Sequence, residues 1–218
     1  MKTISPSSIS RRELSRLALA LPAPLALALL AGRTGGIAFA QDGTATPKGT
    51  PVMAPTLECE DDDVDETLAQ TEGPYFSPNS PERTSLLEDG LPGTPLTVTG
   101  YVYSSGCAPV ERALIEFWQA DDAGVYDNEG FRLRGHQFTD EDGRYELTTI
   151  VPGLYPGRTR HIHVKVQAPD GPELTTQLYF PDAPANDADG IFDPSLVVDM
   201  VDDGTRDKLA FFTFVLEE

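Results

Sequence analysis

Tyr155-Pro156-Gly157-Arg158-Thr159-Arg160-His161-Ile162-His163-Val164-Lys165-Val166 is the stretch whose reading decides the fold. From His161 onward it alternates: His161, His163 and Lys165 share one side, and Ile162, Val164 and Val166 the other. A period of two belongs to a strand, whose successive side chains leave opposite faces of a sheet. The apolar side can enter a core, and the other side then presents two imidazoles close enough to share one ion. Two polar residues on the solvated face of a half-buried strand would give the same pattern. Composition weighs toward a site, because the chain has only 3 histidines. Two of them stand here, just after a Gly/Pro-rich turn that carries Tyr155.

Outward from this strand the chain is a succession of short alternating runs separated by turns. Leu96 to Tyr103, Ala113 to Ala120, Tyr145 to Val151, Thr175 to Phe180, Leu196 to Val201 and Leu209 to Leu216 all read as strands. Ser104-Ser105-Gly106, Asp121-Asp122-Ala123-Gly124 and Thr139-Asp140-Glu141-Asp142-Gly143 read as turns between them. No long stretch has helical periodicity, and no segment repeats. The expectation is a single all-β domain over residues 66–218, an antiparallel or mixed β-sandwich of about seven to nine short strands.

The first 65 residues read differently. Residues 1–40 have the layout of an export signal: a basic start (Lys2, Arg11, Arg12, Arg16), an apolar run from Leu17 to Ala31, and a small-x-small site at Ala38-Phe39-Ala40. The run is too short and wrongly flanked for an integral membrane span. Ser10-Arg11-Arg12-Glu13-Leu14 pairs two arginines before it, as in twin-arginine signals, with Leu14 where such signals usually carry Phe. Residues 41–65 are a Thr/Pro/Gly linker that ends in an acidic run. Removing the +4 carried by residues 1–40 takes the net charge from −19 to −23. So acidic a chain repels nucleic acid and anionic membranes, whose binding needs Lys and Arg against phosphate. Cys59 and Cys107 are the only cysteines, and export would favour one disulfide between them over free thiols or a thiolate metal site.

A site around His161 and His163 needs further donors. Tyr155 lies on the turn directly before their strand, and Tyr126 follows the Gly-bearing turn after the Trp118 strand. Tyrosines at such strand ends can supply phenolate oxygens, or they can simply pack with the hydroxyl at the rim. Two imidazoles with two phenolates would suit a hard trivalent ion, Fe(III) over Fe(II). A copper or zinc site, or an Fe(II) site of two histidines and a carboxylate, is also open, although no Asp or Glu sits at a telling spacing from His161. His136, the third histidine, reads as a non-ligand near the site.

Four separated motifs then occur in order: Ile115-Glu116-Phe117-Trp118-Gln119-Ala120-Asp121-Asp122-Ala123-Gly124-Val125-Tyr126; Arg134-Gly135-His136-Gln137-Phe138-Thr139-Asp140-Glu141-Asp142-Gly143; Thr149 to Arg158 with His161-Ile162-His163; and Gln177-Leu178-Tyr179-Phe180. Together they resemble the intradiol ring-cleavage dioxygenases, a family that includes catechol 1,2- and protocatechuate 3,4-dioxygenases, over about Thr71 to Phe214. The exported layout resembles the secreted single-domain branch. The resemblance implies a transthyretin-like sandwich core and Fe(III) held by Tyr126, Tyr155, His161 and His163. Tyr126 would stay bound and Tyr155 would be released when substrate arrives. Arg158 would stabilise negative charge on the ring, and Gln177 would stand near the substrate and oxygen pocket. The implied substrates are a catechol-type diol and O2, and the product is a cis,cis-muconate-type diacid. Two features depart from the family. The stretch from Tyr155 to His161 is shorter than in the protocatechuate enzymes, and the long helical N-terminal dimerisation region of catechol 1,2-dioxygenases is absent. The rival reading is a non-catalytic secreted sandwich that acts as a binding module.

Overall fold

In a computed structural model of the chain, residues 65–201 and 207–217 are described. The expected export signal, almost all of the linker, and Cys59 lie outside the described residues. Among these residues nine strands form two sheets. The first holds β1 (Pro95–Ser104), β4 (Arg144–Ile150), β7 (Asp199–Val201), β8 (Lys208–Phe211) and β9 (Phe214–Leu216). Its β1 pairs antiparallel with β4 but parallel with both β8 and β9, so the sheet is mixed. The second sheet is antiparallel throughout, in the order β3 (Arg134–Phe138), β2 (Leu114–Trp118), β5 (His161–Gln167) and β6 (Glu173–Tyr179). Among the described residues no helix is long and apolar enough to cross a membrane.

The alternation in β5 sets the layers. Ile162, Val164 and Val166 are fully buried and meet Val98, Val102 and Leu147 from the first sheet, with Ile115, Phe117 and Leu178 beside them. Each such aliphatic side chain stabilises the sandwich by roughly 1.5–3 kcal/mol relative to exposure. The opposite face of β5 is not solvated, contrary to the half-buried pattern. His161 and His163 are only 4% and 3% exposed. The segment before β1 covers them. It starts on the β9 and β6 edge, through Thr67 N to the Val215 carbonyl and Gln70 N to the Thr175 carbonyl. It ends on the far side, where Arg83 N reaches the His136 carbonyl of β3 and Leu86 N the Thr148 carbonyl of β4.

Most strand ends shift by one or two residues from the sequence pattern, and β3 is a strand that the pattern did not show. Ala113 to Ala120 narrows to β2, and the start of Leu196 to Val201 belongs to a 3-10 turn over Pro194–Leu196, capped by Asp193 through the Ser195 amide. Leu209 to Leu216 divides into β8 and β9 at Phe212 and Thr213. The break lies over Gly100 of β1, where a Cβ would sit 1.8 Å from the Phe212 carbonyl oxygen. That carbonyl accepts the Tyr145 hydroxyl at 2.8 Å, and the Phe212 amide donates to the Thr99 carbonyl. The bend therefore needs a residue without a side chain beneath it. Gly100→Ala should lower stability by roughly 1–3 kcal/mol through overpacking. It would be read as a lower urea midpoint at unchanged slope; an unmoved midpoint would mean that the bend is free to shift.

Candidate active site

The register of the second sheet builds one wall of the site. Trp118 pairs with both Arg134 and His163, and His163 pairs with Gln177, so these four form a row across the outer face. His161 pairs with Tyr179 in the next row. Trp118 stacks flat on the His163 ring, with centroids 4.9 Å apart and planes at 6°. It fixes the imidazole plane much as a neighbouring base would.

Two loops bring in the tyrosines. Asp121 Oδ1 accepts the amides of Ala123 and Val125, closing the turn that delivers Tyr126. The Tyr155 loop lies backbone to backbone against it. Gly153 N donates to the Asp121 carbonyl, and a Cβ on Gly153 would lie 2.4 Å from Gly124 N. A Cβ on Gly124 would in turn lie 2.2 Å from the Leu154 carbonyl oxygen. Any side chain at either glycine would drive the two tyrosine loops apart.

The tautomers follow from the contacts. His161 Nδ1 lies 2.6 Å from the Thr159 carbonyl, which can only accept, so Nδ1 carries the proton and Nε2 is a bare lone pair. That Nε2 is 3.1 Å from the Tyr126 hydroxyl and 3.2 Å from His163 Nε2. Three of the four expected ligand residues thus converge on one point. Tyr155 joins through Tyr75: the two hydroxyls are 2.6 Å apart, and Tyr75 stacks on Tyr126 at 4.5 Å. A cavity of about 290 Å³ opens over this group, lined by Tyr75, Tyr126, Tyr155, Arg158, His161 and His163 together with Thr71, Gly73 and Pro74. The stretch Thr71 to Phe76, an aromatic turn in sequence, is its roof.

Arg158 enters the same cavity on a fixed frame. Its Nε donates to Asp189 Oδ2 at 2.8 Å, and its Nη2 to Gln177 Oε1 at 2.7 Å. Asp189 also accepts the Thr159 and Ile191 amides. Burial pushes its carboxyl up, but those amides and the guanidinium outweigh burial and hold it below its ordinary value. Nη1 is the end of Arg158 left without a partner among the described residues. Gln177 is fully buried and does not line the cavity; its amide nitrogen donates to the Thr71 carbonyl, tying the roof to Arg158. His136, on β3, hydrogen-bonds Ser80 and is not among the cavity residues.

The donor set fits an oxidised metal ion. Burial pushes His161 down to about 4 and His163 well below 6.5, so both are neutral bases. Burial pushes the Tyr126 phenol well up, against the pull of Arg158 and Arg134, so without a cation beside it Tyr126 keeps its proton. A bound cation reverses that balance, since it ionises a coordinating oxygen. Among the described residues no three or more His, Cys, Asp or Glu come together in a group that could hold a metal, and the oxygen atoms that face the imidazoles across the cavity are the phenols of Tyr126 and Tyr155. That disfavours the two-histidine-one-carboxylate alternative.

A family profile described as "Dioxygenase" matches residues 71–214. The chain belongs to the intradiol ring-cleavage dioxygenase family. It is 37% identical over 127 residues to the protocatechuate 3,4-dioxygenase beta chain of Burkholderia cepacia, covering 50% of this chain and 54% of that one. It is 32% identical over 147 residues to hydroxyquinol 1,2-dioxygenase of a Rhizobium species, covering 55% and 50%. The chain thus spans about half the length of these curated relatives. Among solved structures, one is the dioxygenase domain of a dioxygenase carbohydrate-binding protein fusion from Streptomyces sp. SirexAA-E. It superposes with a TM-score of 0.68 at 56% identity, covering 70% of this chain and 99% of that one. The 3-chlorocatechol 1,2-dioxygenase of Rhodococcus opacus 1CP gives 0.65 at 28%, covering 70% and 72%.

Within this dioxygenase fold the structure adds residues that the motifs did not single out. Tyr75 bridges to Tyr155. Asp189 holds Arg158, and the Tyr179 hydroxyl lies within 3.4 Å of Arg158 Nη2. Arg134, 2% exposed, donates to the Tyr75 and Asp127 carbonyls and so clamps the roof to the Tyr126 loop. Tyr179 belongs to the Gln177-Leu178-Tyr179-Phe180 motif. Asp189, in Asn186-Asp187-Ala188-Asp189-Gly190, carries no periodic signal at all.

The buried histidines make the metal-free protein sensitive to acid. Their pKa values are lowered on folding, so between the folded and the ordinary values only the unfolded chain takes up protons, and stability rises with pH there. Stability should be full above about 6.5 and fall as the pH drops toward about 4. Asp189 and Asp193, held below 3.8, act in the same sense only at lower pH. Urea unfolding of metal-free protein across that window should show the slope, and His161→Asn should flatten it. Equal slopes in the two proteins would mean that His161 is not held neutral.

Proposed function

We propose that the chain is a non-haem Fe(III) dioxygenase that cleaves a catechol-type ring between its two hydroxylated carbons, adding both atoms of O2 to give a cis,cis-muconate-type diacid. One observation carries this reading. The bare Nε2 of His161 faces His163 Nε2 and the Tyr126 hydroxyl within 3.2 Å, under a cavity that Tyr155 also lines. Tyr126, Tyr155, His161 and His163 are the residues that would hold the iron. When bound, Fe(III) would supply a Lewis-acidic, electron-accepting centre for both oxygens of the diol.

The protein's own groups then have separate tasks. Tyr155 is the ligand placed to yield, because its hydroxyl already has a second partner in Tyr75. As it leaves, its phenolic oxygen can take one proton from the diol and keep the bond to Tyr75, which is general-base work by a displaced ligand. The bond to Tyr155, more than burial, raises the Tyr75 phenol, so Tyr75 keeps its own proton. Arg158, with Nη1 free and the rest of its fork held by Asp189 and Gln177, offers positive charge where the ring becomes negative. The roof from Thr71 to Tyr75 keeps water out. Relatives named for protocatechuate, hydroxyquinol and chlorocatechol support an ortho-diol as the substrate class. Export by the twin-arginine route through residues 1–40, and a Cys59–Cys107 disulfide, belong to the same proposal; both rest on the sequence.

Iron-loaded protein should be red-brown and consume O2 with catechol, with a muconate-type absorbance rising in step. His161→Ala and His163→Ala should lose iron, and Tyr126→Phe should shift or bleach the visible band; a band that stays put removes Tyr126 from the ligand set. Arg158→Ala should keep iron yet lose turnover by roughly 100–1000-fold. Asp189→Asn should fall between, lowering kcat more than it raises KM. Full turnover in both variants would refute the guanidinium's role.

A further inference from the structure

Beside the cavity over the imidazoles lies a second one, a groove of about 330 Å³. Tyr155 and Arg158 line both, so they form a common wall. Away from that wall the groove is built of Leu154, Pro156, Ala185 and Ala188. Leu154, just before Tyr155, is 49% exposed, and Val125, just before Tyr126, is 56% exposed. The groove also stays open at its glycine, whose φ of 80° suits a residue without a side chain. At Gly157, between Pro156 and Arg158, a Cβ would meet nothing within 4 Å. The one carboxylate in the groove, Asp189, is paired with Arg158 at 2.8 Å and is 8% exposed, so it sets little charge against an uncharged substituent.

On the catechol-cleaving reading above, we propose that this groove is a subsite for a bulky, uncharged substituent on the ring. The preferred substrates are then alkyl- or aryl-substituted catechols rather than catechol itself. A ring seated at the imidazoles lies against the wall formed by Tyr155 and Arg158. A substituent pointing past that wall enters the groove and gains apolar contact that a bare catechol cannot make. A carboxylated ring would set its charge beside Asp189 in the groove, and it approaches a chain whose net charge is −19.

The test uses the full-length, iron-loaded protein with catechol, 4-tert-butylcatechol, 4-phenylcatechol and 3,4-dihydroxybenzoate. Each is followed by kcat/KM and, without oxygen, by calorimetric Kd. The wild type should bind and cleave the two neutral substituted rings better than catechol, and the carboxylated ring least well. Ala188→Trp fills the groove from an exposed position, and Leu154→Ser removes its main apolar contact. Both should reduce the advantage of 4-phenylcatechol roughly tenfold, in Kd as well as kcat/KM, the range a hydrophobic pocket commands. Both should leave catechol unchanged. The proposal is overturned if catechol and 4-phenylcatechol are handled equally by the wild type, or if both variants scale the two substrates alike. It is also overturned if 3,4-dihydroxybenzoate is the best substrate. An iron-loaded wild type that turns over no diol at all would instead bring down the ring-cleavage reading on which the subsite rests.

Discussion

Both faces of β5 are buried, and only one of them is apolar. That constraint organises the rest of the structure. Ile162, Val164 and Val166 need nothing beyond the opposing sheet, but His161 and His163 bring four ring nitrogens into a place where water does not satisfy them. An unpaired buried polar group costs about 1–3 kcal/mol. The Thr159 carbonyl takes one of the four nitrogens, and the two Nε2 atoms are turned on each other and on Tyr126. His163 Nδ1 finds no partner among the described residues. A sandwich selected for stability alone would place apolar residues here. The polar face is therefore held against its own desolvation by the covering segment, and a cation at the centre would relieve much of that cost.

The cover is attached where it is electrostatically expensive to be attached. Lys165 continues the imidazole face of β5 and lies 2.8 Å from both Glu72 and Glu173, with its ammonium 4.1 Å from the Phe76 ring centroid. Both acids are largely exposed, so the two ion pairs contribute little stability by themselves. Their effect is to locate the roof. Arg134 does the same from the other side with a nearly inaccessible guanidinium that has only carbonyl oxygens as partners. Burial lowers its pKa, and the charges of Asp127, Tyr126 and Glu116 work the other way. One cation on each side thus ties Glu72, Phe76 and Tyr75 down over His163 without placing a carboxylate against the metal position.

How much of this could be read from the chain depends on whether a feature is local. The β5 strand is bounded in the structure at His161–Gln167, as the alternation indicates, because alternation is a property of neighbours. The two tyrosine loops were legible for the same reason: each is a Gly-bearing turn next to a strand. What the alternation could not reveal was that the second face is covered, since the covering residues lie some ninety positions upstream and carry no period. The division of β8 from β9 was equally hidden. Leu209 to Leu216 is continuously apolar apart from Thr213, and the reason it bends is a glycine more than a hundred residues away on β1. Asp189 stands in an acidic, loop-like stretch where nothing distinguishes it from Asp187 until the fold brings the Arg158 guanidinium to one and leaves the other exposed.

The contrast between Arg158 and Arg134 shows what sets a functional cation apart from a structural one. Both lie beside the same tyrosines and both help to hold the Tyr126 phenol against the upward push of burial. Arg134 directs all three of its nitrogens to backbone carbonyls of the roof and the Tyr126 loop, so its charge is committed to holding chain segments together. Arg158, which lines the cavity, has a carboxylate at Nε, an amide oxygen at Nη2 and no partner at Nη1 among the described residues. The Asp189 pair fixes the plane of its guanidinium, and Gln177 links that plane to the Thr71 carbonyl of the roof. A displacement of the roof is therefore transmitted to the position of Nη1 through two hydrogen bonds. In a site that works by placing charge rather than by moving it, the cover and the cation must be held in one frame.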